Sequence, residues 1–112
     1  MMERLIPSQL TGSINATYNN GLVDTVNYIT KTKGLYAVVD PHNFGRYYGN
    51  IITDATGFQA WWKTVATQFA SNSKVIFDCN NEPHDMDNSV VKAMMRKCQF
   101  LEPNIPFKQT QS

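Results

Sequence analysis

Three observations predict an α/β domain with neighbouring parallel strands. Two compact apolar runs, Leu35 to Val39 and Val75 to Phe77, are rich in β-branched and aromatic residues and have strand length. Between them, residues 57–70 carry apolar side chains at helical spacing. A strand, a helix and a second strand make a βαβ unit, whose strands run parallel. Each apolar run also ends in a polar cluster, Asp40-Pro41-His42-Asn43 in one case and Asn80-Asn81-Glu82-Pro83 in the other. In α/β proteins the carboxyl ends of the strands are where chemistry is usually done.

The first helix is expected over 17–33, where Leu22, Val26 and Ile29, with Val23 beside them, share one face. Asn19 or Asn20 is available to cap its start, Asp24 suits its early turns, and Lys31 and Lys33 lie near its end. Gly34 supplies the left-handed residue that ends it. The run at 35–40 then reads as a strand buried on both faces. A loop over 43–50 follows. The second helix is expected over 57–70, with Thr56 and Gln59 at capping-box spacing. Phe58, Trp61, Trp62, Val65, Ala66 and Phe69 form its apolar stripe, which makes both tryptophans core residues. Ser71-Asn72-Ser73 breaks the chain before a strand at 75–80. Val90 to Cys98 has the length of a short helix, whereas Leu101 to Ser112, with Pro103 and Pro106, reads as a disordered tail.

At 112 residues the chain has room for one domain at most. A net charge of +1, with no basic stripe, gives no case for nucleic acid or an anionic membrane, so a neutral partner fits better. Its longest apolar runs fall far short of the roughly 20 residues that span a bilayer. No apolar stretch follows the basic residue near the N-terminus, so that segment is not a signal peptide. Cys79 reads as a small buried hydrophobe, with a Cys79–Cys98 bridge as the alternative. His42, His84, Asp40 and Cys79 lack zinc-ligand spacing, and there is no phosphate loop or nucleophile elbow. No metal or cofactor is expected.

Pro83 excludes the right-handed helical conformation for the residue before it, which predicts an extended Glu82 at the end of the strand. A carboxyl group partly desolvated at such a tip can donate a proton near neutrality, so Glu82 is the candidate general acid/base. Asn81 beside it can hydrogen-bond a substrate hydroxyl, and His42-Asn43 stand at the other tip. Phe44, Tyr47 and Tyr48 offer aromatic faces of the kind that pack on sugar rings.

The run Ala37-Val38-Val39-Asp40-Pro41-His42-Asn43-Phe44-Gly45-Arg46-Tyr47 is followed, at the right distance, by Val75-Ile76-Phe77-Asp78-Cys79-Asn80-Asn81-Glu82-Pro83-His84-Asp85-Met86. Together with the Trp-Trp helix between them, these resemble fungal endo-β-1,4-glucanases of glycoside hydrolase family 5, from about Met1 to Asn88. The resemblance implies part of a TIM (β/α)8 barrel, roughly βα units 2–4, in a secreted retaining cellulase without a cofactor. By it Glu82 is the acid/base, Asn81 binds the sugar beside the cleavage point, and His42 lines the same subsite, with Asn43 and Tyr47 as further substrate-binding candidates. The implied partner is a β-1,4-glucan, with no nucleic acid, membrane or obligate protein partner. A whole barrel takes about 250 residues, however. The first strand and the family's strand-two arginine are expected upstream of Met1, since Arg4 falls too late to match it. Glu3 and Glu102 stand in no context that matches the nucleophile. The expectation is therefore a partial catalytic domain over 1–88 with an unrelated tail over 89–112, from a truncated reading frame. Such a chain is expected to be inactive alone, the alternative role being a non-catalytic glucan-binding fragment.

Overall fold

The computed structural model describes residues 1–99 and the backbone of 107–108. It begins with a one-turn helix α1 (Met2–Leu5) and helix α2 (Ala16–Asn27), which runs into a π-helical turn at Tyr28–Thr32. Strand β1 (Ala37–Val39) and a hairpin of β2 (Arg46–Tyr47) and β3 (Asn50–Ile51) follow. Helix α3 (Ala55–Thr67), strand β4 (Val75–Asp78), helix α4 (Asn88–Gln99) and strand β5 (Phe107–Lys108) complete it. The main sheet has the order β1-β4-β5, and both pairings are parallel. Ala37 lies opposite Val75 and Val39 opposite Phe77, so β1–α3–β4 is the expected βαβ unit.

The strand pleat decides what the core contains. Ala37 and Val39 of β1 and Val75 and Phe77 of β4 alternate onto one buried face. Trp62 meets the Phe77 ring edge-on at 5.7 Å and Trp61 at 5.1 Å. A buried indole N–H needs an acceptor. That of Trp62 donates to the Cys79 carbonyl at 3.0 Å, and that of Trp61 reaches the Met2 carbonyl at 3.4 Å. Met2, Leu5 and Ile6 are fully buried and close the same core.

The other face of the sheet is open. Val38 is 61% exposed and Ile76 only half-buried, which corrects the expectation of a first strand buried on both faces. Strong apolar composition fits a doubly covered strand, but covering the second face needs another layer, and no described element supplies one. Leu35 and Tyr36 are exposed and precede β1.

Element boundaries moved by a few residues, each for a local reason. The Asn15 side chain, not Asn19 or Asn20, caps α2 by accepting from the Tyr18 N–H at 3.0 Å. Asn19 instead exchanges two amide hydrogen bonds with Gln68, tying α2 to the end of α3. α3 is capped by Asp54, which accepts from the Gly57 N–H at 2.9 Å, so it starts and ends earlier than the Thr56–Gln59 signal suggested. The segment read as a loop contains the β2–β3 hairpin, turned by Tyr48 and Gly49, both with positive φ.

α4 fills the expected short helix and presses Met94, Met95 and Cys98 into the core. Cys98 is disulfide-bonded to Cys79, their Cα atoms 6.0 Å apart, so Cys79 is not the free thiol that its apolar setting suggested. Residues 100–106 and 109–112 of the expected tail lie outside the described residues; 107–108 pair with β4. Among the described residues no helix is long and apolar enough to cross a membrane, and no group of three or more His, Cys, Asp or Glu could hold a metal ion.

Candidate active site

Because β1 and β4 are parallel neighbours, the segments leaving Val39 and Asp78 emerge side by side. Two residues past Asp40, the His42 ring places Nδ1 2.9 Å from Asp40 Oδ2. A carboxylate only accepts, so Nδ1 carries a hydrogen, and in the neutral imidazole Nε2 is the acceptor. Asn81 Nδ2 lies 3.4 Å from that Nε2, in the loop after β4. The two strand tips are thus joined by a relay from Asn81 through His42 to Asp40.

Beneath the relay lies Asn80, a residue the sequence reading passed over. It is fully buried, and its Oδ1 accepts the Gly45 N–H while its Nδ2 donates to Asn43 Oδ1, both at 2.8 Å. That fixes the Asn43 amide, whose Nδ2 is buried with no protein acceptor among the described residues; Asp40 Oδ1 is likewise buried, with no donor among them. Gly45 takes a φ of +79°, and a Cβ there would lie 2.8 Å from Met86 Cε and 3.1 Å from Pro83 Cβ. The loop after β1 therefore packs directly on the loop after β4. The one sequence signal for Asn80 was a polar side chain set at the end of an apolar run. Phe44 completes the surface, its ring 5.7 Å from that of His42 and 5.1 Å from that of His84.

Glu82 follows Asn81 but departs from expectation in two ways. Its φ is +42°, left-handed and not extended, and it lies four residues beyond the end of β4. Pro83 bars the right-handed helical conformation, and the packing of Gly45 on Pro83 accompanies the tighter of the remaining turns. The side chain is also exposed, since the described elements build no wall around it. No hydrogen bond among the described residues fixes its carboxylate. Phe44, Tyr48 and Asp85 share the positive φ, at 56°, 52° and 56°. Such conformations store about 1–3 kcal/mol each and gather at functional sites.

Tyr47 stands on the hairpin, half-buried, and its hydroxyl donates to the Ile6 carbonyl. That bond occupies the polar end of the ring. Burial, with the neighbouring Tyr48 and Glu3 adding to it, raises its pKa above the ordinary 10.0. A group with a raised folded-state pKa contributes stability that is present below its unfolded value and lost as pH rises through the folded one. Alkaline unfolding, followed by circular dichroism from about pH 9 to 12, should therefore lose this contribution in Tyr47→Phe. Identical curves for the two proteins would disprove the coupling.

The structure therefore unites His42, Asn43 and Asn81, sets Glu82 on the same loop as Asn81, and anchors Tyr47 to the N-terminal segment. A family model described as Cellulase (glycosyl hydrolase family 5) matches residues 1–100. The chain belongs to that family. The match extends through α4. Endo-beta-1,4-glucanase A of Emericella nidulans is 59% identical over 90 residues, 80% of this chain and 27% of that protein. Endoglucanase 3 of Humicola insolens is 56% identical over 90 residues, covering 80% and 23%. This family 5 chain thus spans about a quarter of the length of these curated relatives. Among solved structures, Cel5A (EG2) of Hypocrea jecorina (Trichoderma reesei) superposes with a TM-score of 0.72 at 28% identity, over 87% of this chain and 32% of that one. The endo-beta-1,4-glucanase Xac0029 of Xanthomonas axonopodis pv. citri gives 0.73 at 28%, over 87% and 33%. The fold is accordingly part of a TIM barrel, with parallel strands and their helices but no closed barrel.

Proposed function

We propose that this chain is a segment of a secreted, retaining endo-β-1,4-glucanase, with Glu82 as general acid/base and His42, Asn43, Asn81 and Tyr47 on the glucan. The observation that carries the reading is the His42–Asn81 contact across two neighbouring parallel strands, one residue before Glu82, in a chain of the cellulase family. Asn81 spends its Nδ2 on His42, which leaves its Oδ1 to accept from a sugar hydroxyl. In the retaining reaction the acid protonates the leaving glycosidic oxygen while a second carboxylate attacks the anomeric carbon; the acid then deprotonates water. Residues 1–88 carry the glucan-facing parts in this reading, and α4 backs them through the disulfide.

Retention requires the second carboxyl group about 5–5.5 Å from the first. Glu3 and Glu102 stand in no sequence context that matches it, so the chain alone should not hydrolyse carboxymethyl-cellulose at a family-like rate. Reducing sugar released by the purified chain, and lost in Glu82→Gln, would refute that expectation. The exposed, unwalled Glu82 favours a second reading, that of a glucan-binding segment without catalysis. In that case cellulose binding survives Glu82→Gln and falls in His42→Ala.

A further inference from the structure

We infer that the β2–β3 hairpin carries a second glucosyl-binding subsite, with the Tyr48 ring as its stacking floor. The inference rests on the β-glucan reading above and extends it to a surface away from Glu82. Tyr48 and Gly49 form a two-residue hairpin turn with φ of 52° and 77°. Turns with both residues left-handed favour Asn, Asp and Gly, and a tyrosine in the first position is strained. The strain comes with a ring that is held and yet 57% exposed. The Tyr48 hydroxyl donates to the Pro7 carbonyl at 2.6 Å, and its backbone N–H donates to Glu3 Oε1 at 2.7 Å. The Tyr47 ring supports it edge-on at 4.9 Å. An aromatic face immobilised before the ligand arrives loses little freedom on stacking, which is the advantage of preorganisation.

Beside this ring is a cavity of about 310 Å³, lined by Leu10, Tyr47, Tyr48, Asn50, Thr53 and Asp54 among others. That is the lower end of small-ligand pockets, a size for one sugar unit and not for a long ligand. Its lining suits the two sides of a pyranose. Aromatic and aliphatic surface meets the C–H face, while the Asn50, Thr53 and Asp54 side chains offer donors and acceptors to the hydroxyls around it. The hairpin continues the loop that begins at His42. Tyr48 follows His42 by six positions, at most about 20 Å when extended, so one glucan chain can reach both.

The test is a titration of the ¹⁵N-labelled, oxidised full chain with cellopentaose. Amide shifts are read at Tyr48–Asn50 and, separately, at Asn81. Both groups should move in the wild type. Tyr48→Asn keeps a residue suited to the left-handed turn and removes the ring; the hairpin response should vanish and affinity fall about three- to ten-fold, with Asn81 still responding. Tyr48→Phe retains the stacking face and should hold affinity within about two-fold. If Asn81 moves in the wild type and the hairpin does not, or if Tyr48→Asn binds as well as wild type, the subsite is wrong and the glucan reading stands. If neither region moves, both fail. Should Tyr48→Asn lose the hairpin fold, the wild-type hairpin shifts and Tyr48→Phe decide between these outcomes.

Discussion

Replacing Trp62 with alanine is expected to destabilise the chain by about 4–5 kcal/mol, a third or more of the stability that a domain of this size has. The indole is fully buried and lies against both Trp61 and Phe77. Truncation leaves a cavity in a layer only one helix thick, and the Cys79 carbonyl loses the N–H it accepts. Trp62→Phe narrows the difference, since it keeps an aromatic ring in the core while removing the donor and part of the volume; about 1–3 kcal/mol is expected there. Urea unfolding followed by the remaining Trp61 fluorescence measures both. A loss below about 1 kcal/mol for Trp62→Ala would mean the ring is not where the core needs it.

Opening the Cys79–Cys98 bridge, by reduction or by paired alanine replacement, should lower the melting temperature by roughly 10–20 °C. The two cysteines are 19 residues apart, and closing a loop of that length restricts the unfolded chain by about 3 kcal/mol. The bridged loop contains Asn80, Asn81 and Glu82, so its amides should exchange faster once the bond is gone. Two alkylatable thiols in protein purified without reductant, or a melting temperature indifferent to reductant, would contradict the assignment.

The parallel strand pair and the tryptophan stripe were legible in the sequence because period and composition are local properties. Other features depended on what a residue meets, not on what it is. Thr56 and Gln59 matched a capping signal, but Asp54 is the side chain that reaches a free N–H, that of Gly57. Val38 reads like its neighbours, and only the number of layers over it decides whether it is covered. Cys79 and Cys98 come within bonding range because α4 packs back against α3, a tertiary event that spacing does not encode. At the site, His42, Asn81 and Glu82 stood out as polar residues after apolar runs. Asn80 was overlooked because its role, holding Gly45 and Asn43 from below, exists only once both loops are present. Pro83 narrowed the backbone choices of Glu82 without selecting among them.

The parallel register of β1 and β4 also sets a timetable for biosynthesis. Val39 leaves the ribosome some 36 residues ahead of Val75, a lag of about 2–7 s at ordinary elongation rates. A hairpin partner would arrive almost at once; this one cannot, because α3 must be made first. During that interval the nascent chain holds Ala37 and Val39 without the strand that later pairs with them.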